Sequence, residues 1–282
     1  MDVRDGFVEV GGLRLHYVDY GGDGPPLVLE HGTGLIARIW DELAALLCSR
    51  YHVLALDRRG HGDSDKPEDG YGFDETGREL AEFCAALGFA QADAVGHSGG
   101  GTLLPFVNLS RSGLLRRGVM IDPIIFLRRG DMPLHEGPDR PPIAERIARR
   151  RSRWPSRAEM FASLRNRAPY DTWTDGSLRA FVEHGTAELA DGTVELKCPP
   201  AIEARMYGAG SATPLDEALR ITDSSLRIIR AELSDRVPQP AVDAACRLAR
   251  DCRAVIMPGV THFAPMEQPE AVARLCLELL AE

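Results

Sequence analysis

The sequence lacks any apolar run long enough to cross a membrane. No stretch approaches the ~18 apolar residues that a spanning helix needs, and residues 1–10 contain no apolar core of signal-peptide length. We therefore expect a cytoplasmic protein with no membrane partner. The sequence also has no excess of positive charge, since 33 Lys and Arg are outnumbered by 42 Asp and Glu and the formal net charge is −9 at pH 7. Because nucleic-acid phosphates bind to a basic face, this charge argues against a nucleic-acid partner.

Metal and cofactor motifs are missing as well. The six cysteines include no pair with C-x-x-C spacing, which argues against a zinc site or a redox motif. The glycine-rich stretch at 96–101 is not the G-x-G-x-x-G pattern that binds dinucleotides. We therefore expect a protein that works without a metal or a cofactor.

What the sequence does contain is an alternation of short apolar runs and helical patterns. Residues 26–30, 51–57, 92–97 and 116–122 have the composition of buried strands, and 76–88 has the spacing of a helix that ends at Gly88. This alternation is typical of an α/β protein with a mostly parallel sheet that helices cover on both faces. Glycines at 11 and 12 predict a hairpin, which adds an antiparallel edge.

The alternation is interrupted between residues 123 and 214. This stretch has proline clusters and arginine-rich helical runs but no strong buried strand. We therefore predict a core domain formed by residues 1–122 and 215–282, with a mainly helical insertion at 123–214. Six arginines of the insertion could form a solvated helix face or a basic entrance for anionic substrates: Arg146, Arg149, Arg150, Arg151, Arg153 and Arg157.

Ser98 lies in the stretch Gly-His-Ser-Gly-Gly at 96–100, which fits the pattern G-x-S-x-G. An apolar strand pattern precedes it and a helical pattern follows, which is the context of a nucleophile on a sharp strand-to-helix turn. Such a turn needs small neighbours because its backbone is crowded, and Gly96 and Gly100 are small. A serine placed there points its hydroxyl out over the start of a helix, where developing negative charge is favoured.

Three further stretches follow predicted strands in a fixed order: 29–34, 56–64 and 259–270. The last of them matches the pattern G-x-x-H-x-x-x-x-E-x-P-E through Gly259, His262, Glu267, Pro269 and Glu270. With the serine motif, these stretches make the sequence resemble the α/β-hydrolase family across residues 7–122 and 222–282. The resemblance implies an eight-stranded α/β-hydrolase fold in which residues 123–214 form a helical cap.

The resemblance also implies roles for particular residues. His262 would be the general base that takes the proton of Ser98, because a neutral serine is a weak nucleophile. The backbone N–H groups of Gly99 and Thr33 would form the oxyanion hole. His31 and His61 would be structural members of loops near the pocket, and Asp57 would fold the turn that follows the fourth strand.

The acid that orients His262 is not decided by the sequence. The family usually takes it from the loop after the seventh strand, where this chain has Ser234 at the matching position and Asp235 one residue later. Some relatives carry the acid after the sixth strand, where this chain has Asp122. Asp235 is the first choice, Asp122 the second, and Glu232 a third.

These residues lead to a functional hypothesis. We expect a serine hydrolase, without cofactors, that cleaves a small ester-like substrate through an acyl-enzyme on Ser98 and works as a monomer or homodimer. Lactones and thioesters are related substrates. Hydrolysis of a carbon–carbon bond in a vinylogous diketone is the alternative reaction, and ligand binding without catalysis is the alternative from another class of function.

Overall fold

The fold comes from a computed structural model that describes residues 3–127 and 142–282. The predicted cap at 123–214 therefore lies only partly within the described residues. In the described part of the chain, no helix combines the length and the apolar character that crossing a membrane requires.

One large sheet organises the molecule. Its eight strands lie in the order β1-β2-β4-β3-β5-β6-β10-β11. Strand β2 runs antiparallel to β1 and β4, while the remaining neighbours pair in parallel. The strands are β1 (Arg4–Val10), β2 (Leu13–Gly21), β3 (Pro26–Glu30), β4 (His52–Leu56), β5 (Ala92–His97), β6 (Leu115–Ile121), β10 (Ser225–Ala231) and β11 (Cys252–Met257).

Helices cover both faces of this sheet, as its apolar strands require. The central strand β5 is buried along its whole length, with core side chains on either side of the sheet. The helices of the core are α1 (Asp41–Leu47), α2 (Phe73–Ala86), α3 (Gly99–Thr102), α4 (Leu104–Ser110), α9 (Leu215–Ile221), α10 (Gln239–Leu248), α11 (Ala264–Glu267) and α12 (Pro269–Leu280). The α/β-hydrolase fold predicted from the sequence is confirmed.

The chain between β6 and β10 is less purely helical than expected. It contains a three-stranded antiparallel sheet in the order β7-β9-β8 beside its helices. The strands are too short to give a recognisable alternation, and the Asp191–Gly192 turn was their only signal. The described elements are α5 (Ile143–Ala148), β7 (Arg153–Trp154), α6 (Arg157–Arg165), α7 (Asp175–His184), β8 (Thr186–Glu188), β9 (Val194–Leu196) and α8 (Pro200–Gly208).

Candidate active site

Ser98 lies on a strained turn between β5 and α3. Its backbone has φ 53° and ψ −122°, a conformation that a residue with a side chain rarely adopts. The Ser98 N–H donates to the carbonyl of Ile121 at 2.9 Å, which ties the turn to the neighbouring strand. The strain persists because the packed sheet holds both ends of the turn.

The glycines around Ser98 are required by close backbone packing. A methyl group on Gly96 would collide with the carbonyl of Gly100, and one on Gly100 would collide with the carbonyl of Glu30. A methyl group on Gly32, in the loop after β3, would lie 2.8 Å from His97 Nδ1 and 3.3 Å from Cβ of Ser98. The loop after β3 therefore passes directly over the serine, and it does so only because position 32 lacks a side chain.

His262 is held in the loop between β11 and α11. The loop turns at Gly259, whose φ is 69°, and Glu267 accepts the Thr261 N–H at 2.8 Å. His97 donates its Nε2–H to the His262 carbonyl at 2.7 Å. These contacts bring His262 Nε2 to 3.0 Å from Ser98 Oγ.

Asp122 lies directly behind this histidine. Its Oδ2 is 2.6 Å from His262 Nδ1, and the side chain is fully buried. Asp122 follows β6 with a φ of 44°, a left-handed conformation that aspartate tolerates better than most residues. Burial raises the pKa of Asp122, but hydrogen bonds from His262, Ser234 and the Ala231 N–H outweigh burial and hold that pKa below its ordinary value.

The structure does not bring the first-choice acid to the histidine. Asp235 is 87% exposed and pairs with Arg236 at 3.2 Å. Glu232 accepts the Gly259 N–H at 2.8 Å and so supports the histidine loop instead. The expectation for Asp235 is therefore corrected in favour of Asp122, because the loop after β10 turns so that Ser234, and not Asp235, faces inward.

The predicted oxyanion donors, the backbone N–H groups of Thr33 and Gly99, belong to residues that lie beside Ser98. A methyl group on Gly99 would lie 2.7 Å from Thr33 Oγ1 and 3.9 Å from Thr33 N, so the two residues are neighbours across the turn. Within residues 3–127 and 142–282, neither N–H donates a hydrogen bond to a protein acceptor. Neither donor is therefore already occupied by another of the described residues.

The other histidines and Asp57 support the loops around the site. His31 Nε2 accepts the Arg58 N–H at 3.3 Å, and His61 Nε2 accepts the Gly34 N–H at 3.0 Å. Burial lowers the pKa of His31 to about 3 and that of His61 well below its ordinary value, so both are neutral acceptors. Asp57 accepts the Ala37 N–H at 2.6 Å and contacts His16, a structural role.

The arginines of the predicted cap are largely engaged with acidic partners. Arg150 pairs with the buried Glu203 at 2.7 Å, and Arg153 pairs with Asp191. Arg149 and Arg157 face glutamates at 3.6–3.7 Å, and Arg151 lies over the Trp154 ring. This pairing supports the interpretation of a solvated helix face more than that of a basic entrance.

Arg58, which no motif in the sequence marks, lies beside the serine turn. It follows β4 and is only 6% exposed, and its Nη2 donates to the His31 carbonyl at 2.8 Å. Glu30, at the end of β3, is also buried, and its Oε2 lies 3.6 Å from Arg58 Nε. In the sequence, the only signal of this buried pair is that Glu30 and Arg58 each stand at or just after the end of an apolar run.

Comparisons with known proteins agree with this architecture. Curated relatives include a non-heme chloroperoxidase, CPO-A1, of Kitasatospora aureofaciens, 34% identical across 84% of this chain and 82% of that protein. A 2-(acetamidomethylene)succinate hydrolase of Mesorhizobium japonicum is 27% identical across 93% of this chain and 90% of that protein. A shorter match, 36% identical over 116 residues, covers 40% of this chain and 42% of a non-heme chloroperoxidase of Streptomyces lividans.

The solved structure of an E-2-(acetamidomethylene)succinate hydrolase has the same fold. It superimposes with a TM-score of 0.80 at 24% identity and covers 99% of this chain and all of that one. The profile of the alpha/beta hydrolase family matches residues 27–275, which include Ser98, Asp122 and His262. The chain therefore belongs to the alpha/beta hydrolase family.

Proposed function

We propose that this protein is a serine hydrolase that cleaves carboxylic esters through an acyl-enzyme on Ser98. The observation that carries the proposal is the continuous contact from Ser98 Oγ to His262 Nε2 at 3.0 Å and from His262 Nδ1 to Asp122 at 2.6 Å. A hydroxyl, an imidazole and a buried carboxylate in this order have the geometry for nucleophilic acyl transfer.

The reaction follows from these contacts. His262 Nε2 takes the Ser98 proton while Oγ attacks the ester carbonyl, and Asp122 stabilises the imidazolium that forms. The Thr33 and Gly99 N–H groups receive the charged oxygen, each worth about 3–4 kcal/mol where such donors have been removed. His262 then gives the proton to the leaving alcohol. Water, activated by the same imidazole, releases the acid from Ser98.

In this proposal the described part of the predicted cap, residues 123–127 and 142–214, acts as a cap beside Ser98. The Trp173 ring lies 5.6 Å from that of Phe263, the neighbour of His262, and the Thr174 N–H donates to the Met266 carbonyl at 2.8 Å. The segment therefore touches the histidine loop directly. A cap that covers a site in this way excludes water and limits the length of acyl chain that fits.

A second candidate function is hydrolysis of an acetamido-substituted succinate. It is favoured by similarity across 93% of the chain to the 2-(acetamidomethylene)succinate hydrolase. The same serine, imidazole and amides would serve, since an acyl group is transferred in both reactions. The two functions differ in the substrate that the pocket accepts.

A substrate panel tests these functions. We expect turnover of p-nitrophenyl esters of short and medium acyl chains and its loss in Ser98→Ala. 2-(Acetamidomethylene)succinate and a ring-cleavage dienoate complete the panel, and exclusive turnover of either would replace ester cleavage as the function. If wild-type protein turned over none of these compounds and failed to react with a fluorophosphonate, the proposal of a serine hydrolase would be wrong.

A further inference from the structure

The guanidinium of Arg58 lies beside the two candidate oxyanion donors. A methyl group on Gly99 would lie 3.9 Å from Arg58 Nη2, the same distance as from Thr33 N. The arginine is fixed at both ends, because its backbone N–H donates to His31 Nε2 and its Nη2 donates to the His31 carbonyl. It is therefore a positioned cation close to Ser98, in contrast to a flexible surface arginine.

The positive charge of Arg58 is poorly compensated. Among the described residues, no carboxylate accepts a hydrogen bond from it, and Glu30 approaches only Nε, at 3.6 Å. Burial raises the pKa of Glu30 to about 8 although Arg58 lowers it, so burial opposes the charged form of the carboxyl nearest to Arg58. The neighbouring acids are engaged elsewhere, since Glu79 pairs with Arg59 at 2.6 Å and Asp57 contacts His16 at 2.7 Å.

A buried cation without a hydrogen-bonded carboxylate is costly, and an arriving anion relieves that cost. A guanidinium matches a carboxylate well because its parallel N–H groups can bind both oxygens. The nearness of Arg58 to the oxyanion donors places such a carboxylate within a few bonds of the reacting carbonyl. Half-esters of short dicarboxylic acids have this spacing.

We propose that Arg58 is a specificity-determining residue that binds a carboxylate on the acyl part of the substrate. This inference rests on the proposed function for its place in the reaction, but binding of the anion does not need a reactive serine. It identifies the substrate class as an ester whose acyl group carries a negative charge. The positive charge of Arg58 lies in the core beside Ser98, whereas the arginines of the predicted cap are mostly paired.

Calorimetric titration with succinate tests the binding directly. We expect the wild-type protein and Ser98→Ala to bind succinate, whereas neutral succinamide binds at least tenfold more weakly. Arg58→Met should weaken succinate binding about 10- to 100-fold, the range expected for hydrogen bonds to a charged group. Arg78→Met removes one positive charge from the exposed face of α2 and should leave the affinity unchanged. Equal affinity of wild-type protein for succinate and succinamide, which needs no variant, would overturn the inference.

Steady-state kinetics test whether Arg58 recognises the acyl carboxylate during turnover. We expect Arg58→Met to lower kcat/KM for p-nitrophenyl hydrogen succinate about 10- to 100-fold and that for p-nitrophenyl butyrate less than threefold, with partial recovery in Arg58→Lys. Equal losses on both esters would overturn the inference. They would show that Arg58 stabilises the oxyanion or the fold and does not bind a carboxylate of the acyl group. Fluorophosphonate labelling of Ser98 separates the two proposals: unlabelled wild-type protein contradicts the hydrolase, and labelling that succinate does not slow contradicts only the role of Arg58.

Discussion

The Ser234 hydroxyl donates a hydrogen bond to Asp122 Oδ2 at 2.5 Å. Ser234 occupies the position at which the α/β-hydrolase pattern usually has its acid, and Asp122 supplies a carboxylate from the neighbouring strand end. The loop after β10 therefore still reaches the site, but it contributes a donor that orients the carboxylate. The Ala231 N–H, at 3.0 Å from Oδ1, adds a second donor from the same segment.

Removing the Ser234 hydroxyl should weaken catalysis without weakening substrate binding. In Ser234→Ala we expect kcat to fall about tenfold, in the range of one hydrogen bond to a charged group, and KM to stay within twofold. The pKa of Asp122 should rise because this bond lowers it. The ratio of the variant's kcat to that of wild type should then fall further at acid pH, because Asp122 loses its charge at a higher pH in the variant. Ser234→Thr keeps a hydroxyl and is the matched control; a ratio of Ser234→Ala to wild-type kcat that stays at one at every pH would contradict this role.

Exchange of each candidate acid distinguishes Asp122 from Asp235. We expect Asp122→Asn to lower kcat on the order of 10⁴-fold, because an amide cannot hold the imidazole in the required tautomer or stabilise its charged form. Asp235→Asn should stay within twofold of wild type, since that carboxylate is exposed and contacts only Arg236. Steady-state kinetics on one p-nitrophenyl ester measures both. The reverse order of losses would show that Asp235 is the partner of His262.

Gly100→Ala tests the packing that forms the serine turn. The added methyl group would collide with the backbone carbonyls of Glu30 and His31, neither of which can move without shifting β3. We expect a loss of at least about 3 kcal/mol in the free energy of unfolding, or failure to fold. Gly208→Ala is the control, because nothing lies within 4 Å of its new methyl group. Chemical denaturation measures both, and equal stability of the two variants would contradict the packing argument.

His97 should make the protein less stable in acid. Burial and the nearby His262 lower the pKa of His97 to about 3, so the unfolded chain takes up a proton there below about pH 6.5 that the folded chain does not. The resulting loss in the free energy of unfolding is absent above pH 6.5 and grows by up to about 1.4 kcal/mol per pH unit below it. Urea unfolding of His97→Gln at pH 7 and pH 5 should therefore show a smaller fall in stability than wild type. Parallel falls would contradict a neutral His97.

The sequence predicted the parts of the site that local patterns encode. The strands at 26–30 and 92–97 match β3 and β5 residue for residue, because an apolar run bounded by glycine or proline is a local signal. Ser98 and His262 were found in the same way, each from a glycine-containing turn after a strand.

The remaining parts depend on contacts between distant segments. Which acid meets His262 depends on how two loops pack against each other, and Asp122 is 140 residues away in the chain. Arg58 was missed because its importance comes from the burial of Glu30 and the nearness of Gly99, which no local pattern reports. The small sheet between β6 and β10 was missed because its strands have two or three residues each.

The most direct test of the account is the mass of the protein after reaction with a fluorophosphonate, followed by peptide mapping. We predict one added phosphonyl group, located on Ser98, and no addition to Ser98→Ala. Labelling should also fall at least a hundredfold in His262→Ala, because a neutral serine hydroxyl is a weak nucleophile and His262 is the base that takes its proton. An unmodified wild-type protein, or a label on another residue, would contradict the claim that His262 activates Ser98.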